Sequence, residues 1–143
     1  MNILAFDYGT RRIGVAVGNP LSGARPLVTI VHGGGALPWD DIDRMVREWN
    51  PVLLVVGLPL GLDGGEQAMS RNARAFAEAL AERHALPVRS IDERHTSQEA
   101  SRRFAAARAA GTARRKHAAD LDAIAAQVIL ESWLAENDPG SSA

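Results

Sequence analysis

The chain has 143 residues, enough for one buried core and too few for a second lobe. Its 46% apolar and 23% charged residues are the balance of an ordinary globular domain. With 16 basic and 17 acidic side chains the net charge is -1, which excludes a protein that is basic throughout and coats nucleic acid, but leaves room for a local basic patch.

Ile3–Tyr8 reads as a strand apolar on both faces, hence central in a sheet. The segment that begins it has neither the basic start nor the long apolar run of a secretory signal. Gly9-Thr10-Arg11-Arg12 reads as a turn, and Ile13–Val17 alternates Ile13, Val15 and Val17 against Gly14 and Ala16, so the two strands form a hairpin. Pro26–His32 is expected as a third strand, ended by Gly33-Gly34-Gly35. A helix is expected over Asp40–Trp49, with Asp40 as its N-cap and Asn50-Pro51 as its stop. Val52–Val56 is a buried strand, followed by a loop carrying Gly57, Gly61, Gly64 and Gly65. This apolar stretch is broken well short of the roughly 20 residues of a membrane span. A helix over Gln67–His84, a strand over Pro87–Asp92, a helix over Thr96–Ala110 and a last helix over Ala118–Glu136 complete the pattern, with Asn137–Ala143 as a polar tail. A leading meander followed by helix–strand alternation predicts an α/β architecture around a mixed five-stranded sheet flanked by helices, as one domain over residues 1–136.

Three carboxylates draw attention. Asp7 ends the first strand on the face of Ile3 and Ala5, where a charge is costly unless a cation or hydrogen-bond donors meet it; capping the next turn is the plainer alternative. Either Asp92 or Glu93 closes the strand before it, and the strand alone does not choose between them. Asp122 and Asp120 both open an otherwise apolar helix, where first-turn charge also suits the helix dipole. If such carboxylates converge, hard divalent cations relieve their repulsion; two Mg²⁺ or Mn²⁺ about 4 Å apart can clamp a phosphodiester for in-line attack by water. No cysteine is present, which excludes disulfides, thiolate catalysis and cysteine-held metals, argues against zinc and fits a reducing cytoplasm. Of the four histidines, His95 and His117 flank the acidic positions.

Between Arg94 and Lys116 the only acid is Glu99, against seven bases: Arg94, Arg102, Arg103, Arg108, Arg114, Arg115 and Lys116. This local charge of +6 is the footprint of a phosphate backbone, with a solvated helix face as the alternative. Tyr8, beside Asp7, is the one aromatic that spacing does not assign to a core, so it is the candidate for stacking on a base or sugar.

Asp7-Tyr8-Gly9-Thr10 before a hairpin is similar to the phosphate-gripping opening of sugar kinases and actin-like ATPases, whose shared unit is the RNase H-like domain. Phe6 through Ala16, Val56-Gly57-Leu58-Pro59-Leu60 with Asp63-Gly64, Asp92-Glu93-Arg94, and Leu121-Asp122-Ala123 through Leu130 run in order over nearly the whole chain. Together they resemble the YqgF (RuvX) family of RNase H-like nucleases. The resemblance implies a metal-dependent nuclease processing pre-16S rRNA, with likeness to Holliday-junction resolvases; a non-catalytic nucleic-acid-binding or ribosome-assembly factor that keeps the fold is the alternative from another class. It puts the catalytic, metal-holding carboxylates on Asp7, Glu93 and Asp122, preferring Glu93 to Asp92 and Asp122 to Asp120. Thr10, Tyr8, His95, His117 and Asp120 are accessory candidates, and Mg²⁺ or Mn²⁺ the expected cofactor. His95 stands where the family pattern leads one to expect an apolar residue. The expected partner is precursor rRNA, with structured DNA as the alternative and no membrane, in a cytoplasmic monomer or homodimer.

Overall fold

The computed structural model describes residues 1–9, 11–32, 36–58, 68–92, 102 and 118–137, without the side chains of 68–70, 92 and 118–120. The elements are β1 (Ile3–Tyr8), β2 (Arg12–Asn19), β3 (Gly23–Val31), α1 (Trp39–Trp49), β4 (Leu53–Leu58), α2 (Ala68–His84), β5 (Val88–Asp92) and α3 (Ala118–Glu136). Apart from Arg102, the helix expected over 96–110 lies outside the described residues, as does the glycine-rich loop after Leu58.

One five-stranded sheet runs in the order β3-β2-β1-β4-β5. β1 pairs antiparallel with β2 and parallel with β4, and β5 extends the parallel half. This is the mixed sheet predicted from the meander and the alternation after it. β3 starts three residues earlier than expected, at Gly23. Pro26 sits inside it because β3 is an edge strand and the ladder slips by one residue between Val15 and Ala16, so the missing N–H is tolerated.

Period-two alternation divides the core. Leu4, Phe6, Ile13, Val15, Val17, Leu54 and Val56 face α1 and α2 and meet Ile42, Met45, Phe76 and Leu80. Ile3, Ala5 and Val55 face α3 and meet Ile129 and Leu130. On this second side β2 presents Gly14 and Ala16, which lets the α3 backbone come close.

α1 begins at Trp39, with Pro38 in the cap position and no side-chain cap, so Asp40 lies in the first turn with Asp41 rather than at the cap. Both carboxylates still suit the positive end of the helix dipole. Asn50 closes the helix in the left-handed conformation (φ 45°), its N–H donating to Val46 O at 2.8 Å. Asp43 then joins α1 to the end of α2. It accepts two hydrogen bonds from Arg83, at 2.7 and 2.9 Å, and lies 2.9 Å from His84 Nε2. Arg83 also covers the Trp39 ring at 4.9 Å.

Candidate functional site

Asp7 is the fifth residue of β1 and half-buried, at the end of the strand where the apolar pattern gives way. Because Ile3 and Ala5 pack against α3, Asp7 falls on the α3 side, as alternation predicts. Its partner across the antiparallel ladder is Gly14, and directly opposed Cα atoms lie about 4.5–5.5 Å apart.

Gly14 is where α3 touches the sheet. A Cβ built there would collide with the main-chain carbonyl of Asp122 and come within 3.0 Å of the Ala123 nitrogen. The absent side chain therefore seats the start of α3 on β2, directly across the ladder from Asp7. Two carboxylates separated by 115 positions in sequence are thus brought to one edge of the sheet. β5 runs parallel to β4 and ends at Asp92, paired with Leu58, at that same edge. Glu93, the next residue, lies outside the described residues, as do Thr10, Arg94, His95, Arg103, Arg108, Arg114, Arg115, Lys116 and His117. Arg102 is exposed, and of Asp120 only the helical backbone is described.

Asp122 is electrostatically unusual. Burial pushes its carboxyl above the ordinary carboxylate value, and the positive charge of Arg12 partly opposes that rise. Arg12 Nε lies 2.9 Å from Asp122 Oδ2. The approach has the length of an ion pair without the alignment of a hydrogen bond, so Oδ2 is buried and lacks a hydrogen-bond partner. A desolvated carboxylate oxygen of this kind, on a helix seated against the strand that pairs with Asp7, is a donor that suits a hard cation. Among the described residues no cluster of three or more potential ligands forms.

His32 secures the turn that follows Asp7. Its Nε2 lies 3.0 Å from Gly9 O, and its main-chain N–H donates to Arg11 O at 2.9 Å. Sequence reasoning missed both Arg12 and His32. It read Arg12 as part of the turn and His32 as a strand end, and neither assignment carries information about a partner so far along the chain. Tyr8 differs from expectation. Its ring is half-buried 5.1 Å from Phe76, in the apolar layer on the α1–α2 side, opposite to Asp7.

The same architecture occurs in solved structures. A Thermus thermophilus RuvC in complex with a Holliday junction substrate superposes with a TM-score of 0.59, covering 95% of each chain at 15% identity. The fowlpox virus Holliday junction resolvase gives 0.57, covering 95% of this chain and 99% of its own at 14% identity. These likenesses define an RNase H-like fold. The family model of RuvX, described as Holliday junction resolvase, matches residues 1–136. A Xylella fastidiosa (strain M23) protein named "Putative pre-16S rRNA nuclease" is 56% identical over 135 residues, 94% of this chain and 87% of its own. A Xanthomonas oryzae pv. oryzae (strain PXO99A) protein of the same name is 54% identical over 138 residues, 95% and 88% of the two chains. The chain belongs to the RuvX family and is a nuclease, a hydrolase acting on ester bonds in nucleic acid.

Proposed function

We propose that this nuclease is metal-dependent and trims precursor 16S rRNA, with Asp7, Asp122 and Glu93 as its catalytic carboxylates. The observation that carries the reading is the seating of Asp122 over Gly14, the direct ladder partner of Asp7. The buried, unpartnered Asp122 Oδ2 fits a divalent cation, Mg²⁺ or Mn²⁺. Asp7, Asp122 and Glu93 would hold such a cation, which would supply polarisation of a phosphate oxygen and a lowered pKa for water. The side chains have their own work. Asp122 is held by the apolar contacts of α3, and Asp7 by β1, so the two oxygen donors are positioned before substrate arrives. Arg94 and the basic residues from Arg102 to Lys116 supply phosphate contacts without reading bases.

The names of the close relatives support RNA as substrate. A DNA-junction reading is favoured by the family description and requires two sites on a symmetric dimer, spaced to cut opposing strands. Equimolar competition between a single-stranded precursor rRNA end and a four-way DNA junction, with Mg²⁺ or Mn²⁺, separates the two. Cleavage of the RNA in preference to the junction is expected. Symmetric paired nicks on the junction with intact RNA would promote the resolvase.

A further inference from the structure

Arg12 and Asp122 come from opposite ends of the sequence and meet on the α3 side of the sheet. Arg12 opens β2 two residues before Gly14, so both point to the same face. Gly14 brings the Asp122 backbone down onto that face, within reach of the guanidinium. The two partners are unequally placed. The Arg12 side chain is 45% exposed and Asp122 only 23% exposed, with Oδ2 buried. The carboxylate is therefore fixed and desolvated, whereas the guanidinium has solvent to withdraw into. The Nε contact is not aligned as a hydrogen bond, so little directional bonding is given up when it breaks.

A buried carboxylate oxygen is stabilised by whichever cation reaches it. Two cations cannot hold Oδ2 at full strength together, because they repel across the same few ångströms. From this geometry we propose that Arg12 is a placeholder cation for Asp122. It neutralises Oδ2 and must yield it when a divalent cation binds, so Arg12 sets the metal affinity of the site by competition. The inference rests on the reading of Asp122 as a metal ligand and adds to it a residue outside the three carboxylates.

Mn²⁺ titration of the full chain, with free Mn²⁺ followed by electron paramagnetic resonance, tests it without reference to turnover. Arg12→Ala and Arg12→Gln are expected to bind Mn²⁺ roughly tenfold more tightly than the unsubstituted chain at low salt, with the gain shrinking as salt is added. Arg12→Lys, which keeps the charge, should stay near the original affinity. Unchanged or weaker Mn²⁺ binding in both neutral variants would overturn the competition. The ligand reading is tested by a separate arm: if Asp122→Asn binds Mn²⁺ as tightly as the unsubstituted chain, or that chain binds none, Asp122 is not a ligand and the inference goes with it.

Discussion

The main-chain carbonyl of Asp122 occupies the space that a side chain on Gly14 would need. This close approach sets how deeply the start of α3 sits on β2, and with it the separation of Asp122 from Asp7 across the ladder. Any side chain at residue 14 must push the helix away. Gly14→Ala is expected to cost about 1–3 kcal/mol of stability, the range of overpacked cores, and to lower cleavage further than the reduced folded fraction explains. Urea unfolding alongside initial cleavage rates measures both. A variant with unchanged rate and stability would mean that the helix seat does not position the site.

The clasp between α1 and α2 gives a pH dependence of known sign. Hydrogen bonds from Arg83, reinforced by His84, hold the Asp43 carboxyl well below its ordinary value of 3.8 despite opposing desolvation. A carboxylate whose pKa is lower in the folded state stabilises the fold above the unfolded pKa. That contribution disappears as pH falls below about 3.8 towards the folded value. Asp43→Asn should therefore lower stability by about 1 kcal/mol at pH 7, at the upper end for a partly exposed pair, and by less in acid. Unfolding curves at pH 7 and pH 3 check this; an equal decrease at both would show that the charge does not matter.

For the basic segment the expected signature is in salt dependence. Neutralising Arg114, Arg115 and Lys116 should weaken binding across unrelated sequences. It should also flatten the log–log salt slope by roughly 0.7 for each single-strand phosphate that is no longer neutralised. Binding isotherms over a salt series report the slope. An unchanged slope would make these side chains a solvated face.

Much of this arrangement is readable in the sequence because it depends on local patterns. The alternation of Ile13, Val15 and Val17 against Gly14 and Ala16 gives both faces of β2, and the apolar stretch after Asp122 gives α3 with the bounds observed. Asp7 is marked by its place at the end of an apolar strand. What the sequence hides depends on partners far along the chain. Arg12 looks like turn charge until Gly14 admits α3, and Asp43 looks like solvated helix charge until Arg83 and His84 arrive from α2. Tyr8 is separable from the core aromatics only by spacing, and spacing does not reveal that Phe76 covers it. β3 continues through Pro26 because Leu27 is the extra residue of a bulge against Val15 and Ala16, and the run Pro26–His32 shows the register of neither strand.

Cleavage of a precursor 16S rRNA fragment by the unsubstituted chain and by Asp7→Asn, each after chelation and again after Mn²⁺ is restored, tests the metal-dependent site most directly. No cleavage is expected under chelation, and full recovery with Mn²⁺ for the unsubstituted chain. Asp7→Asn should reach less than about one hundredth of that recovered rate, since even outer-shell partners of a metal are worth 10–100-fold. Circular dichroism should show both proteins equally folded. Cleavage that survives chelation, or an Asp7→Asn protein that cuts at the unsubstituted rate, would contradict the assignment of this carboxylate edge as a metal-dependent nuclease site.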